Sequence, residues 1–415
     1  MLVKVVTLIC INKILAVYVG PIGYLWLGQF QNFVQVITIF ASGAINTGVI
    51  KYTAEHKGDI NAQVKIWGTA GRISVIGSCV AAAVIFVFSE PIAGILLDEQ
   101  NYASVLKIFA LGLPFFVLNT LLISVLNGRE EIFWLVVANV IGSLTSLLLT
   151  VLLTVKLSLY GALISVAIFQ TFSFFTTLYL ITRLEWFRFE YLFQIFDFQI
   201  SKKLFSYTLM ALVSAVCVPL SSLIIRTFIA GNVGEIEAGY WEAMSKLSGA
   251  YLLVFTSILS VYYLPKYAEL KTSAALKNEI LAGYIIILPV VLIGCCTIYL
   301  TRDALIMLLF SEEFKPMRNL FLWYQVGDFM KMGSWILAFL MLAKAMVKTY
   351  IATEIFFSIS YVVMSIYFTG EYGLEGSIYA YAINYLLYWL FLAIFMYKTV
   401  LSSRTEFEAE SELLK

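Results

Sequence analysis

The chain has 415 residues, of which 61% are hydrophobic and 13% are charged, and its net charge at pH 7 is +1. Soluble domains are about 45–50% apolar and about 25% charged, so a soluble globular protein is excluded and the excess apolar surface must face lipid. The small net charge also argues against an extended nucleic-acid surface.

Twelve apolar segments are each long enough to cross the hydrocarbon layer as a helix, which takes about 20 residues. In chain order they lie near residues 2–19, 24–48, 67–88, 105–127, 131–155, 160–182, 205–228, 241–264, 281–300, 320–343, 349–369 and 377–397. Membrane β-barrel strands would instead alternate polar and apolar residues over about ten positions. The sequence therefore predicts an all-α membrane protein with twelve transmembrane helices.

An aromatic and basic segment separates the first six spans from the last six, and it contains Trp186, Arg188 and Tyr191. Trp and Tyr prefer the headgroup layer, and basic residues bind the anionic inner leaflet. We therefore expect a six-helix lobe over residues 1–182, an interfacial cytoplasmic linker over 183–203, a second six-helix lobe over 204–400 and a cytoplasmic tail over 401–415.

Lys and Arg are concentrated in alternate connections between the spans. Lys202 and Lys203 lie on one side, whereas the connections on the other side are acidic, as at Glu312 and Glu313. Basic residues in short loops mark the cytoplasmic side. We therefore expect both termini to be cytoplasmic.

The chain also matches itself at an offset of about 215 residues, as internally repeated transporters do. The matching pairs are Trp26 with Trp241, Lys51-Tyr52 with Lys266-Tyr267, and Gly128-Arg129 with Ala343-Lys344. Six helices per unit is an even number, which predicts a parallel repeat about an axis along the membrane normal. Two such bundles can expose a shared cavity alternately to each side, so we expect a transporter; a static scaffold is the alternative.

Several charged residues fall inside the predicted spans, where a charge at the bilayer centre costs about 2.5–3.5 kcal/mol. The cationic candidates for a substrate lumen are Lys4, Lys13, Arg226, Lys246 and Lys331, and the acidic candidates for ion coupling are Glu242, Asp328 and Glu354. Spacing on one helix face allows Glu242 to pair with Lys246, and Asp328 with Lys331.

Lys13 and Arg226 have no such neighbour, and we expect each to present a cation to the shared cavity. Snorkelling to the interface is the alternative for Arg226, and for Lys4. The excess of cations favours an anionic substrate. Amide side chains of the second span add hydrogen-bonding groups for a sugar; they are Gln29, Gln31, Asn32 and Gln35.

Signatures of other chemistry are not found in the sequence. No His and Cys spacing predicts a metal site, and no phosphate-binding loop predicts ATP hydrolysis. The sequence also has neither a recognisable catalytic cluster nor a sizeable polar loop, which a membrane enzyme would need. We therefore expect no metal, no cofactor and no enzymatic activity.

Three segments resemble the Wzx-type polysaccharide flippases of the O-antigen and enterobacterial common antigen kind. They are residues 43–55 (GAINTGVIKYTAE), 262–270 (YYLPKYAEL) and 323–345 (WYQVGDFMKMGSWILAFLMLAKA). The resemblance implies a MATE-like fold in the bacterial inner membrane and the transfer of undecaprenyl-diphosphate-linked oligosaccharide from the inner to the outer leaflet. It implies membrane lipids, and a polysaccharide polymerase and chain-length regulator, as partners.

The resemblance further implies that six residues fall at charged positions of such relatives; they are Lys4, Lys13, Arg226, Asp328, Lys331 and Glu354. The alternative is a multidrug antiporter of the same superfamily. Those relatives usually carry a carboxylate in the first helix, where this chain has Lys4 and Lys13. A non-transporting scaffold and a membrane enzyme are further alternatives.

Overall fold

The structure is a computed structural model that describes residues 2–97, 100–194, 196–270, 272–344 and 346–401, and the regular structure of these residues is entirely helical. The helices are α1 (Leu2–Tyr18), α2 (Gly20–Ala41), α3 (Asn46–Glu55), α4 (Ile60–Val87), α5 (Ser89–Leu97), α6 (Ala103–Gly128), α7 (Ile132–Ile181), α8 (Phe198–Asn232), α9 (Glu235–Ile258), α10 (Leu264–Glu269), α11 (Ser273–Leu300), α12 (Arg302–Leu309), α13 (Phe321–Ala343), α14 (Val347–Tyr372) and α15 (Leu374–Met396). Of the predicted tail, only residue 401 is described.

Each of the twelve predicted spans falls largely on one of these helices. In the described part of the chain, eight helices are long and apolar enough to cross a membrane, or nine if α2 and α3, which meet at a 49° bend, form one span. The count of nine includes α7 as one helix. Its 50 residues are divided at Ser158, where φ is 50° and ψ is −130°, so α7 accounts for two of the twelve predicted spans. The other two spans are α1, with 17 residues, and α9, which carries Glu242 and Lys246.

The chain forms two compact units, Met1–Leu223 and Ile224–Lys415, and the division falls within α8. The order of the helices repeats, with α1 to α7 in the first half and α8 to α15 in the second. Each half has a first helix, α1 or α8, and a second one that is followed by a short helix, as α2 is by α3 and α9 by α10. A long helix, a short helix and three further spans follow in both. The two parts of α7 thus correspond to α14 and α15, as expected for a parallel repeat of six spans.

The core of the first unit joins α4, α6 and the aromatic segment that was predicted as a linker. Trp67 of α4 is fully buried and lies against Trp186, with 5.6 Å between ring centroids. Leu192 is also fully buried, and Gly71 of α4 lies against its backbone: a Cβ at Gly71 would be 2.0 Å from the Leu192 carbonyl oxygen. The described part of residues 183–194 therefore packs on α4 and belongs to the first unit.

The core of the second unit is built from α9, α11, α13 and α15. Its buried members include Leu252, Ile287, Ile336 and Leu392. Two of these helices also carry predicted charged residues, Glu242 and Lys246 on α9 and Asp328 and Lys331 on α13, so the apolar packing fixes the positions of those charges.

Candidate functional site

A buried cluster of three charges lies in the second unit, between α8 and α9. Arg226 is only 1% exposed, and its Nη2 donates a hydrogen bond to Oε2 of Glu242 over 2.5 Å. One helical turn after Glu242, the Lys246 Nζ lies 3.6 Å from Oε1 of the same carboxylate. The pair predicted from the spacing of Glu242 and Lys246 is therefore present. Arg226 is buried and paired, so it does not snorkel. Its partner Glu242 is on the next helix, and the sequence spacing did not reveal this pair.

The balance of charge in this cluster is positive, because two cations share one carboxylate. The Arg226 guanidinium also lies 5.7 Å from the ring centroid of Trp241, whose π face attracts cations. The Lys246 side chain is 19% exposed, whereas that of Arg226 is 1% exposed. Lys246 is therefore the cation of this cluster that a ligand can reach most readily.

The Asp328 carboxylate of α13 forms a second buried cluster and accepts hydrogen bonds from three hydroxyl groups. Ser248 Oγ and the Tyr381 hydroxyl each donate over 2.7 Å, and the Tyr251 hydroxyl donates the third bond. Gln325 in turn donates to the Tyr251 oxygen over 2.9 Å. An ionised carboxylate only accepts hydrogen bonds, so three converging donors suit it well.

The spacing of Asp328 and Lys331 suggested an ion pair, but their charged atoms are not within 4.0 Å of each other. The physical reason is that hydroxyl donors from α9 and α15 occupy the carboxylate oxygens. The Lys331 Nζ instead lies over three aromatic rings, at 4.9 Å from the centroid of Trp335, 5.1 Å from Tyr385 and 5.5 Å from Tyr381.

Lys331 also interacts electrostatically with two acids, Asp328 on its own helix and Glu354 on α14. Glu354 is half-buried, whereas Asp328 is fully buried. The structure thus brings Asp328, Lys331 and Glu354 into one cluster, which the sequence spacing alone did not indicate for Glu354. The tyrosines of this cluster were missed because aromatic residues are abundant everywhere in the chain.

In the first unit, a cavity of about 540 Å³ lies among α1, α2, α6 and α7. Its polar lining comes from amide and hydroxyl side chains, including Gln31, Gln35, Thr120, Thr150 and Gln170. Of the amides predicted for a sugar, Gln31 and Gln35 line this cavity, whereas Asn32 donates to the Pro219 carbonyl over 3.4 Å.

Of the two lysines predicted in α1, Lys13 is not among the residues that line this cavity. Lys13 is half-buried and has contacts of its own, and the Lys4 side chain lies outside the described residues. Among the described residues, no group of three or more His, Cys, Asp or Glu side chains could hold a metal ion.

Comparison with known sequences finds a matching family and similar bacterial proteins. The family described as polysaccharide biosynthesis protein matches residues 1–271. The chain is 28% identical over 389 residues to the Lipid III flippase of Escherichia coli (strain K12), covering 93% of both chains. It is similar to the Lipid III flippase of Shigella flexneri to the same extent.

Comparison with solved structures shows the fold. An inward-facing multidrug resistance MATE family transporter of the MOP superfamily matches with a TM-score of 0.77 at 14% identity, covering 97% of this chain and 96% of that one. The lipid II flippase MurJ in an inward closed conformation matches with a TM-score of 0.70 at 17% identity, covering 96% of this chain and 85% of that one. The fold is therefore MATE-like, as predicted, and the protein crosses the membrane many times. By its sequence, the chain belongs to the polysaccharide biosynthesis protein family.

Proposed function

We propose that the protein is a flippase that transfers an undecaprenyl-diphosphate-linked oligosaccharide from the inner to the outer leaflet of the bacterial inner membrane. The similarity to Lipid III flippases over 93% of the chain supports a lipid-linked glycan as the substrate. The observation that carries the proposal within the molecule is the positively charged cluster of Arg226, Glu242 and Lys246, buried among membrane-spanning helices.

Such a substrate combines a diphosphate, which needs cations, with a glycan and an apolar tail. A positive cluster in a low-dielectric environment attracts an anion strongly. Lys246 is the member that meets the diphosphate, since it is the more exposed cation, and Arg226 remains held by Glu242. Glu242 thereby keeps both cations in place when no substrate is bound.

We further propose that Glu354 links transport to the membrane potential, and that Asp328 is structural. Three hydroxyl donors fix Asp328 in place, whereas Glu354 is half-buried and interacts with the Lys331 charge. Moving one charge through the membrane field is worth about 2.3 kcal/mol per 100 mV. Glu354→Gln is expected to abolish the response of transport to a proton gradient. The folded fraction of Asp328→Asn is expected to retain this response.

The proposal includes the setting of the protein. Both termini are cytoplasmic, as the distribution of Lys and Arg indicates. A polysaccharide polymerase and a chain-length regulator would use the delivered substrate on the outer side. No ATP or other cofactor is part of the proposed cycle.

The second candidate function is the export of organic cations, which the fold shared with a multidrug resistance MATE family transporter favours. The positive cluster of the second unit repels such substrates. Proton-driven uptake of a fluorescent organic cation into proteoliposomes at a rate above protein-free vesicles would favour this candidate over the flippase.

The flippase is tested with the full chain in proteoliposomes and a fluorescent short-chain prenyl diphosphate that carries a neutral disaccharide. Lys246→Gln keeps the Arg226–Glu242 pair, so the protein should fold while flipping falls at least tenfold. Lys315→Gln is the matched control, because Lys315 forms an exposed pair with Glu312 at 3.0 Å. Equal flipping by Lys246→Gln and wild type at equal protein level would contradict the role of the cluster.

A further inference from the structure

The cavity of the first unit differs in chemistry from the charged clusters of the second. The described residues that line it include no ionisable side chain, and their polar groups are amides and hydroxyls. We infer that this cavity binds an uncharged sugar ring, a hexose or N-acetylhexosamine, of the transported glycan. The inference rests on the proposed function and assigns to the first unit the recognition of the glycan.

The amides that line the cavity have hydrogen-bonding groups to offer. Gln31 and Gln35 lie one turn apart on α2, and neither has a hydrogen-bond partner among the described residues. On α7, Gln170 accepts a bond from Asn119 Nδ2 through Oε1 over 2.6 Å, so its Nε2 donors remain for a ligand. An amide both donates and accepts, which matches the hydroxyl and acetamido groups of a sugar.

The described lining residues offer no charge that could pair with the charged parts of the substrate. A diphosphate or an acidic sugar would find no counter-charge among the described lining residues, and burying an unpaired charge away from water is strongly unfavourable. The volume of about 540 Å³ lies within the range of small-molecule sites, about 300–1,000 Å³. The cavity therefore suits one or two neutral rings.

A hydrocarbon chain is the competing occupant, because leucine, isoleucine and phenylalanine side chains also line the cavity. Filling it with an isoprenoid would cover Gln31, Gln35 and Gln170 without replacing their hydrogen bonds to water, and that cost is not repaid. A sugar satisfies the amides and places its apolar ring face against Phe116 and Phe169, which also line the cavity. The sugar is therefore the better occupant.

The test compares the affinity of the detergent-solubilised full chain for citronellyl diphosphate with its affinity for citronellyl diphosphate linked to a disaccharide of N-acetylglucosamine. The wild type is expected to bind the sugar-bearing compound about tenfold more tightly. In the double variant Gln31→Met and Gln35→Met, which conserves side-chain volume, this gain disappears while the affinity for citronellyl diphosphate is unchanged.

Two further variants keep the test decisive. Gln199→Met makes the same change on an exposed residue of α8 and retains the gain. Ser146→Leu fills the cavity from α7 and removes the gain without touching the amides. Persistence of the gain in both cavity variants overturns the inference but leaves the flippase intact. Failure of the wild type to bind either compound counts against the proposed function itself, and a gain from lengthening the prenyl chain that both cavity variants lose identifies an isoprenoid site instead.

Discussion

At the scale of single residues, the stability of the second unit depends on buried polar groups that are paired with one another. Arg226 is 1% exposed and Asp328 is fully buried, so neither can recover hydration if its partners are lost. A buried pair contributes little compared with an apolar replacement of both partners, but loss of one partner leaves an uncompensated charge. Mutations of the partners are therefore more damaging than the number of contacts suggests.

Glu242→Gln tests this for the charged cluster. We expect it to lower the free energy of unfolding by about 3–5 kcal/mol, because Arg226 loses its counter-charge in a buried position. Adding Arg226→Met should restore most of the loss. The measurement is thermal unfolding of the purified protein in detergent, with Glu312→Gln, which disrupts an exposed pair, as a control expected to change stability by less than about 1 kcal/mol. Equal unfolding midpoints for Glu242→Gln and wild type would argue that Arg226 finds another partner.

Tyr381→Phe tests the Asp328 cluster and retains the aromatic ring beside Lys331. The loss of a hydrogen bond to a buried carboxylate should cost about 1.5–3 kcal/mol of stability. Tyr379→Phe is the matched control two residues earlier, because its hydroxyl donates to Glu375 over 2.8 Å at an exposed position. Thermal unfolding of both variants should separate them, and a Tyr379→Phe effect as large as that of Tyr381→Phe would refute the special role of Asp328.

The sequence predicted the polar pair that lies within one helix and missed those that join different helices. Glu242 and Lys246 are four residues apart, so helix geometry alone brings them together. Arg226 and Glu242 are on α8 and α9, and the donors of Asp328 come from α9 and α15. Such contacts depend on helix packing angles, which a local sequence pattern does not contain. The role of Lys13 in a shared cavity stays a prediction.

At the scale of elements, the segment between the sixth and seventh spans is a packed part of the first unit. Trp186 donates through Nε1 to Glu131 over 3.0 Å, and the Arg129 guanidinium lies 4.5 Å from its ring centroid. Arg72 of α4 donates to the Phe193 carbonyl over 3.2 Å. The interfacial position of this segment stays a prediction from its aromatic and basic composition. Its docking on α4 depends on Gly68 and Gly71, which lie against Gln194 and Leu192, and the sequence alone does not show these contacts.

Gly71→Ala is expected to displace this segment from α4, because the new Cβ would lie 2.0 Å from the Leu192 carbonyl oxygen. Trypsin cleavage at the exposed Arg188 should become faster, and thermal stability should fall. Gly294→Ala in α11 is the control: it has open space around its Cβ and should be neutral or stabilising by up to about 1 kcal/mol. Unchanged cleavage in Gly71→Ala would mean that the segment shifts without undocking.

At the scale of the whole molecule, the sequence predicts the number and order of the spans more reliably than it predicts contacts between side chains. Continuous apolar segments are imposed by the bilayer, which no tertiary packing overrides, and all twelve predicted segments fall largely on helices. Helix α7 differs from the other spans because it is one continuous 50-residue helix, but its backbone leaves helical geometry at Ser158. Two predicted spans, 131–155 and 160–182, lie on either side of this break.

The break implies that α7 crosses the membrane twice. The part from Ile132 to Ser158 and the part that ends at Ile181 are each more than about 30 Å long at 1.5 Å per residue, enough to span the hydrocarbon layer. In a variant without the five native cysteines, we expect a cysteine at Lys156 to react with a membrane-impermeant maleimide added to intact spheroplasts, and one at Thr182 to react only after lysis. Both positions are exposed, so access to the reagent depends on the side of the membrane. Labelling of Thr182→Cys but not of Lys156→Cys in intact spheroplasts would show the opposite orientation, and labelling of both positions from outside would contradict two crossings in α7.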